Sequence, residues 1–214
     1  MNRQELKELA NNNIFYKDPL DDIFFDLLED IMNETLEANQ KFNLTAIKED
    51  EDFRELMIYD SILPLKYISF NKEDNIIDVG TGAGFPGIPM AICSRRTFTL
   101  LDSTKKKIDY INSVASKYHL ETICGIAERV EDFANEYREE YDHAVARAVA
   151  PLNILVELVL PLVKVGGTFI AMKGSNGKEE LKKANSAIEK LGGKIKAIHE
   201  DILPIPREPK GMNL

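Results

Sequence analysis

The sequence predicts an α/β fold in which a parallel sheet follows an N-terminal helical extension. Three observations lead to this class. Apolar residues recur at intervals of three and four through residues 1–70, which is typical of amphipathic helices. From Asn75 onward, short apolar runs alternate with helix-compatible segments, a pattern typical of a parallel sheet covered on both faces. A glycine-rich turn at residues 80–87 separates the first strand from its helix.

Length and composition bound the domain organisation. The chain has 214 residues, of which 44% are hydrophobic and 29% charged, and these values exclude wholesale disorder and a disulfide scaffold. This length accommodates one α/β domain plus an extra element, but it is short for two full domains. We therefore expect a helical cap over residues 1–70 and a single compact sheet domain over residues 71–214.

Charge is divided unevenly between these two parts. The chain carries a net charge of −9, which argues against a nucleic-acid partner only if that charge is evenly spread. Residues 1–60 contain six basic and 16 acidic side chains, a net charge of −10, so residues 61–214 carry a net charge of +1. The acidity belongs to the N-terminal segment, and we expect its acidic face to point away from any nucleic acid that the sheet domain binds.

The sequence gives no indication of export, a membrane span or a metal site. The N-terminus is a polar helical start and no run of about 18 apolar residues occurs, so we expect a cytoplasmic protein with no membrane partner. The two cysteines, Cys93 and Cys124, have neither CxxC spacing nor a neighbouring histidine. We therefore predict two buried free thiols and no metal.

The elements follow from the periodicity in chain order. Helical spacing covers residues 6–36, breaks at residues 43–45 and resumes over residues 53–64. Six strands are predicted, at residues 75–79, 98–101, 122–126, 141–146, 168–172 and 194–203. Between them, helices are predicted at residues 88–94, 105–118, 130–138, 152–162 and 178–191.

The glycine-rich turn fits two cofactor-binding patterns. Asp78-x-Gly80-x-Gly82-x-Gly84 matches the pattern of S-adenosylmethionine-dependent methyltransferases, whereas Gly82-x-Gly84-x-x-Gly87 matches the dinucleotide fingerprint. In either case the glycines allow bare backbone to approach a ligand at the carboxyl edge of the sheet. A P-loop is excluded, because no Gly-Lys-Ser/Thr closes the motif.

Two acids bear on the choice between these patterns. Both patterns require an acid after the second strand, and Asp102 stands there, able to accept hydrogen bonds from the two ribose hydroxyls of either cofactor. Asp78 favours the methyl donor, because a pyrophosphate avoids a nearby anion while the ammonium and sulfonium of S-adenosylmethionine suit one. The predicted fold is therefore a class I S-adenosylmethionine-dependent methyltransferase sheet, which is Rossmann-like, with an N-terminal helical extension.

Six motifs narrow the class further. They are, in order, NLTAI, DVGTGAGFPGIPMAI, LLDSTKKKIDYI, ERVEDF, ARAVAPL and LVKVGGTFIAMKG. Together they resemble the RsmG (GidB) family of bacterial 16S rRNA methyltransferases, over residues from about 40 to 178. The resemblance implies transfer of a methyl group from S-adenosylmethionine to N7 of a guanosine in the decoding region of small-subunit rRNA. Two alternatives stay open: an NAD-dependent oxidoreductase, and a non-enzymatic nucleotide-binding, ribosome-associated module.

The resemblance also implies cofactor contacts at Gly80 and Phe85, at Val130 and Glu131 in ERVEDF, and at Arg147 in ARAVAPL. Phe85 is suited to cover an apolar part of the cofactor, and the Val130 amide and Glu131 carboxylate to read the adenine edge. Arg147 ends a strand, where its guanidinium can pair with the cofactor carboxylate or an rRNA phosphate. The predicted cofactor set is Asp78, Gly80, Gly82, Gly84, Phe85, Asp102, Val130, Glu131 and Arg147.

No general base is predicted, because guanine N7 presents a lone pair and loses no proton on methylation. The three histidines, His119, His143 and His199, are accordingly expected to have surface or packing roles. Catalysis would consist of holding N7 in line with the methyl group. Arg147 and Lys173, both at strand ends, are predicted to position substrate or contact RNA.

The predicted partner is 16S rRNA or the small ribosomal subunit, bound by a monomer. Positive charge comes from residues 95–96, residues 105–107 and the lysine-rich residues 173–196. Since aromatic interleaving is absent, we expect recognition of a folded rRNA or ribonucleoprotein surface. The family's tail usually carries a further strand and a basic end; here only residues 194–203 fit a strand, so Arg207 and Lys210 are doubtful as RNA contacts.

Overall fold

Five strands pair into one parallel sheet. The structure, a computed structural model, describes residues 1–204. Within them the strands lie in the spatial order β3-β2-β1-β4-β5, and their bounds are β1 (Ile76–Val79), β2 (Phe98–Asp102), β3 (Ile123–Ala127), β4 (Tyr141–Arg147) and β5 (Val163–Met172). β1 is fully buried and is the switch point of the strand order, because β2 and β3 lie on one side of it and β4 and β5 on the other. Open α/β sheets bind ligands at the carboxyl ends of the strands next to such a point. The predicted α/β class is confirmed.

The N-terminal segment is helical. α1 (Arg3–Asn13) begins with a capping box between Asn2 and Glu5, and α2 (Asp22–Phe42) ends at Asn43, which adopts the left-handed conformation. Residues 50–66 form one continuous helical stretch in which the type of helix changes along the chain. It consists of α3 (Asp50–Phe53), a π-helix (Arg54–Tyr59), α4 (Asp60–Ile62) and a 3-10 helix (Leu63–Lys66).

The core forms one apolar layer on each face of the sheet. On one face, the N-terminal segment packs together with α5 (Gly87–Ser94) and α6 (Lys105–Lys117); Phe25 and Ile62 share this layer with Ile76 of β1. The other face is covered by α7 (Val130–Glu136), α8 (Leu152–Val159) and α9 (Gly177–Lys190). The N-terminal segment thus contributes to the main core, and the domain boundary near residue 70 stays a prediction.

The connection from α8 to β5 differs from the prediction. The helix predicted over residues 152–162 ends as an α-helix at Val159 and finishes as a 3-10 turn over Leu160–Leu162. β5 starts at Val163 rather than residue 168, because Val163 pairs with Tyr141 and Thr168 pairs with His143. The extra residues form an irregularity that contains Gly166 in the left-handed region, with φ of 88°.

The predicted sixth strand at residues 194–203 is wrong, since these residues form no strand. Most of their apolar residues are exposed, namely Ile195, Ile198 and Ile202, while Leu203 packs partly buried against the core. The segment is held instead by side chains, as the Tyr67 hydroxyl donates to Asp201 Oδ1 at 2.7 Å and the Tyr67 ring stacks on His199. Arg207 and Lys210 lie outside the described residues.

Candidate cofactor site

The turn between β1 and α5 holds three glycines in the left-handed backbone region. Gly80, Gly82 and Gly84 have φ of 73°, 63° and 97°. A Cβ on Gly80 would lie 2.5 Å from a methyl of Val149, and one on Gly84 would lie 2.3 Å from the terminal methyl of Ile88. A Cβ on Gly82 would meet no described atom within 4 Å. Bare backbone therefore faces open space at Gly82, while packing excludes side chains at the other two positions.

The Asp78 side chain holds this turn through a hydrogen bond from the end of the turn to β1. The side chain is fully buried in β1, and its Oδ2 accepts a hydrogen bond of 2.8 Å from the Gly87 amide at the start of α5. Burial raises the pKa of Asp78 to about 6, although the nearby Thr81 hydroxyl, the Gly87 amide and the positive charge of Arg147 favour the ionised form. The remaining oxygen, Oδ1, and the Thr81 hydroxyl are buried without a well-aligned partner in the described chain.

Asp102 joins the first two loops of the sheet edge. At the end of β2, its Oδ2 accepts a hydrogen bond of 3.0 Å from the Gly82 amide and its Oδ1 accepts one of 2.8 Å from the Thr104 amide. Lys107 Nζ lies 3.6 Å from Oδ2. Each carboxylate oxygen retains a second lone pair, so the group can still accept hydrogen bonds from a ligand. The predicted ribose acceptor therefore lies directly beside the open backbone of Gly82.

Val130 and Glu131 begin α7, after the end of β3. The Glu128 amide donates to the Asp102 carbonyl at 3.2 Å, so this loop lies next to the β2 loop. Glu131 is exposed, and a hydrogen bond of 2.8 Å from Arg129 lowers the pKa of its carboxyl. Val130 is half-buried against the layer formed by α7, α8 and α9. The backbone here is placed to line the site, whereas the Glu131 side chain is paired at the surface.

Phe85 lies in the core rather than on the open side of the turn. Its ring is 5% exposed and packs edge-to-face on Phe53 of α3, with ring centroids 5.3 Å apart. The structure therefore places this predicted cofactor contact between the glycine turn and the N-terminal segment.

Arg147 is held by the N-terminal segment. Its Nη1 donates to Asp60 Oδ2 at 2.8 Å and to the Leu56 carbonyl at 2.9 Å, and Nη2 lies 3.7 Å from the Met57 sulfur. The guanidinium side chain is only 14% exposed. It ends β4 on the same sheet edge as the glycine turn, and its charge acts on Asp78. The predicted positioning residue is thus present at the edge, in an ion pair.

Lys173, the second predicted positioning residue, is also paired. Its Nζ donates to the Ala150 carbonyl at 2.8 Å and lies 2.7 Å from Glu180 Oε2. The hydrogen bond from Lys173 lowers the pKa of Glu180, whose carboxylate also accepts from the Leu152 amide at 2.9 Å. Lys173 therefore fastens the turn between β4 and α8 to α9.

The lysines at the start of α6 lie on the rim of the same edge. Lys105 pairs with Asp109 at 2.7 Å. Lys106 has no acidic partner among the described residues, and its Nζ lies 4.2 Å from the centre of the Phe42 ring. Phe42 is 44% exposed at the end of α2. The rim therefore combines one unneutralised cation with an accessible aromatic ring.

Histidines and cysteines lie away from these groups. His143 Nε2 lies 3.0 Å from Asp74 Oδ2, His199 stacks on Tyr67, and His119 is exposed. Cys93 is buried, and burial raises the pKa of its thiol to about 12. Cys124 is exposed on β3, so the prediction of two buried thiols is wrong for this residue.

Neither a metal centre nor a membrane span is found in the part of the chain that the structure describes. Among residues 1–204, no group of three or more His, Cys, Asp and Glu side chains is arranged to hold a metal ion. No helix within the same range is long and apolar enough to cross a bilayer.

Sequence reasoning missed three residues of this edge. They are Asp60, which holds Arg147; Glu180, which holds Lys173; and Val149, which covers Gly80. Asp60 and Val149 lie far in sequence from their partners, whereas Glu180 follows Lys173 by seven residues across a turn. Asp60 is also only one of 16 acids in the first 60 residues. No local pattern distinguishes them, because the contacts arise from the tertiary fold.

The edge fits a cofactor that carries a ribose and a charged amino-acid end. Gly82 offers open backbone, and Asp102 offers acceptors beside it. Asp78 and Thr81, whose side chains interact with each other, hold buried oxygens without well-aligned partners beneath the turn. Arg147 supplies a cation on β4, two residues after Val145, which is the residue that pairs with Asp78 of β1. These groups fit S-adenosylmethionine, as its ribose is a hydroxyl donor and its methionyl end carries a carboxylate.

Comparison with known proteins supports the same conclusion. A family model described as GidB, rRNA small subunit methyltransferase G, matches residues 25–203. A protein of Oceanobacillus iheyensis named ribosomal RNA small subunit methyltransferase G is 44% identical over 184 residues, which cover 85% of this chain and 77% of the relative. A protein of the same name from Bacillus cereus is 45% identical over 189 residues, covering 86% and 79%.

A solved structure shares the fold at low sequence identity. The ribosomal protein L11 methylase of Lactobacillus delbrueckii subsp. bulgaricus superposes with a TM-score of 0.54 at 16% identity, over 69% of this chain and 74% of that one. The resemblance read from the sequence motifs is confirmed by the family match. This chain belongs to the GidB family of rRNA small subunit methyltransferases G.

Proposed function

We propose that this chain transfers a methyl group from S-adenosylmethionine to N7 of a guanosine in 16S rRNA. Family membership over residues 25–203 supports the reaction class. The observation that carries the assignment to this edge is the open backbone of Gly82 directly beside the Asp102 carboxylate. A nicotinamide cofactor is not favoured, because Asp78 places a carboxylate immediately under the turn, where a pyrophosphate would need amide donors and no anion.

The chain's own residues bind and orient the cofactor. Asp102 accepts hydrogen bonds from ribose hydroxyls, and the amides around residues 130–131 read the adenine. Arg147 binds the carboxylate of the methionyl end. Asp78 holds the turn in the shape that leaves Gly82 bare. When bound, S-adenosylmethionine supplies an electrophilic methyl group on a sulfonium.

The reaction needs no proton acceptor from the protein. Guanine N7 attacks through a lone pair in the plane of the ring and loses no proton, so the residues at this edge act by holding the base in line and by excluding water. The guanosine must leave its stack to reach the edge. Catalysis by positioning matches an edge built from fixed backbone and paired ionic groups.

The substrate surface is assigned to the rim of this edge. Lys106 at the start of α6 supplies positive charge for phosphates, and the acidic face of residues 1–60 is assigned to the side away from the RNA. The protein acts as a cytoplasmic monomer on a folded rRNA or ribonucleoprotein surface. A rim that combines Lys106 with the exposed ring of Phe42 is better suited to such a surface than to a long single strand, which requires repeated stacking platforms.

The test is methyl transfer to small-subunit particles that lack the modification. Purified protein and S-adenosylmethionine with a labelled methyl group are incubated with these particles, with free 16S rRNA and with a short oligonucleotide. Label is expected at one guanosine of 16S rRNA, mapped by borohydride reduction and aniline cleavage, which identify N7-methylguanosine.

Three outcomes would contradict the proposal in different ways. Binding of S-adenosylmethionine without any label in rRNA would favour the non-enzymatic module. Calorimetric binding of NAD but not of S-adenosylmethionine would favour the oxidoreductase. Equal labelling of the oligonucleotide and the particles would remove the assignment of a folded rRNA surface as the substrate.

A further inference from the structure

Residues 53–60 of the N-terminal segment contact two side chains of the cofactor edge. Phe53 packs against Phe85, and Asp60 pairs with Arg147. The family resemblance assigns both sheet-domain partners to the cofactor. We infer that the N-terminal segment completes the cofactor site, with Asp60 as the positioning residue that sets the orientation of the Arg147 guanidinium. The inference rests on the proposed role of Arg147 in binding the cofactor carboxylate.

Two oxygen acceptors of the helical stretch over residues 50–66 bind the same nitrogen of Arg147. Leu56 and Asp60 are four residues apart, so they lie on the same side of the helical stretch. The Leu56 carbonyl and Asp60 Oδ2 converge on Arg147 Nη1 at 2.9 and 2.8 Å. The stretch that carries them includes the π-helix over Arg54–Tyr59, an uncommon winding that occurs frequently at functional sites.

Arg147 needs an anionic partner on this side because its guanidinium is largely removed from water. The side chain is 14% exposed, and an unpaired guanidinium at that depth is costly. Asp78 lies on the same face of the sheet, since Val145 pairs with Asp78 and side chains alternate along β4. Arg147 thus pairs with one carboxylate in the N-terminal segment and acts through its charge on a second one in β1.

The geometry leaves part of the guanidinium available. A guanidinium has five N–H donors, and the hydrogen bonds to oxygen in the described chain use Nη1 only. Nη2 has only the Met57 sulfur, a weak acceptor, at 3.7 Å. A second carboxylate can therefore bind to the remaining donors while Asp60 keeps Nη1 fixed. This division of donors makes Asp60 an orienting group and not a competitor for the ligand.

The first measurement is the affinity for S-adenosylhomocysteine, which binds without reacting. Asp60→Asn keeps an oxygen acceptor but removes the charge, and we expect the dissociation constant to rise by about 5- to 20-fold. In methyl transfer, KM for S-adenosylmethionine should rise while kcat stays nearly unchanged. Asp60→Glu should restore part of the affinity, because it restores the anion.

Glu29→Gln is the matched control. Glu29 makes a bidentate pair with Arg54 at 2.7 Å within the N-terminal segment, and both side chains are about as buried as Arg147. This control should lower the thermal midpoint without changing the dissociation constant. An equal loss of affinity in Glu29→Gln and Asp60→Asn would overturn the inference, because it would reduce Asp60 to a general contribution to folding.

A double-mutant cycle decides whether Asp60 acts through Arg147. Arg147→Met should weaken binding by itself, and Asp60→Asn in that background should add no further loss. Full additivity of the two losses, or an unchanged dissociation constant in Asp60→Asn, overturns the inference while the proposed methyl transfer stands. If Arg147→Met leaves affinity unchanged, the assigned role of Arg147 fails and the inference fails with it, and wild-type methyl transfer reports separately on the proposed function.

Discussion

The two halves of the cofactor edge are built by different means. On the β1–β2 side, the Gly82 backbone is bare and the Asp102 carboxylate lies beside it. On the β4–β5 side, the cations Arg147 and Lys173 are already paired with acids from other layers of the fold. The first half therefore provides open binding surface, and the second provides charged groups whose positions are fixed before a ligand arrives. We therefore expect some substitutions to lower cofactor affinity and others to lower the stability of the ion pairs that fix the charged groups.

The largest expected effect is at the bare backbone. Gly82→Val adds a branched side chain in a direction that the turn leaves open, and we expect the dissociation constant for S-adenosylhomocysteine to rise more than about 100-fold. Isothermal titration calorimetry measures it. Gly192→Val is the matched control, because Gly192 has φ of 79° and a Cβ there would likewise meet no described atom within 4 Å.

Both variants carry a similar backbone penalty of about 1–2 kcal/mol for a side chain in the left-handed region. Their thermal midpoints should therefore fall by comparable amounts, and only Gly82→Val should lose cofactor affinity. Equal affinities in the two variants would break the distinction between the open half and the fixed half of the edge.

The next effect is the response of stability to pH, which has opposite signs in the two halves. The pKa of Asp78 is raised to about 6, so its protonated form is favoured in the folded state. Its contribution to stability is complete below the usual pKa of the carboxyl and is lost as pH rises through about 6. The pKa of Glu180 is lowered by Lys173, so its contribution is present above its usual pKa and is lost as pH falls.

Chemical denaturation of wild type and Asp78→Asn at a series of pH values checks the first sign. The free-energy advantage of wild type over the variant should decrease by about 2–3 kcal/mol between about pH 4 and pH 7. An advantage that instead grows over this range would show that Asp78 is stabilised as an anion, and the buried acid would then resemble the paired acids of the other half.

A smaller effect is expected from breaking an ion pair of the fixed half. Lys173→Met removes the contacts to Glu180 and Ala150, and we expect the free energy of unfolding to fall by about 1–2 kcal/mol. Lys182→Met is the control on α9, the helix that carries Glu180, because the Lys182–Glu179 pair is exposed and should contribute less than about 0.5 kcal/mol. Urea denaturation compares the two, and equal losses would refute a larger contribution from the half-buried pair.

The smallest effect concerns the rim. Lys106→Ala should raise KM for the rRNA substrate by about 3-fold. It should also reduce the slope of the logarithm of the binding constant against the logarithm of the salt concentration by about 1, the change expected for one lost phosphate contact. Lys105→Ala is the control from the same helical turn, because Asp109 already neutralises Lys105. Filter binding over a range of salt concentrations distinguishes them. An unchanged salt slope in Lys106→Ala would remove this lysine from the RNA surface.

Sequence patterns are sufficient where a local rule decides the structure. The strand-turn-helix unit around residues 76–94, the acid after β2 and the alternation of strands and helices all follow from short-range periodicity and turn chemistry. The class of the fold and the position of Asp102 beside the glycine turn are therefore accessible from sequence. The predicted sixth strand is wrong because alternating side chains do not by themselves supply a neighbouring strand, and residues 194–203 are held by side-chain contacts instead.

Contacts between distant residues are not accessible in this way. The sequence predicts Arg147 at the strand end, but its partner Asp60 lies 87 residues earlier. The packing of Phe85 on Phe53 is likewise not accessible, because only the docking of the N-terminal segment brings the two rings together. The contact of Phe85 with the cofactor stays a prediction. These examples share a cause, since the layer that covers the sheet decides which side chains are free and which are paired.

The most direct test of the central claim is a crystal structure of the protein with S-adenosylhomocysteine bound. We expect the ligand to lie in van der Waals contact with Gly82, its ribose hydroxyls to donate to Asp102, and its carboxylate to pair with Arg147 while Arg147 keeps its bond to Asp60. A ligand bound elsewhere, or one that displaces Asp60 from Arg147, would contradict this claim.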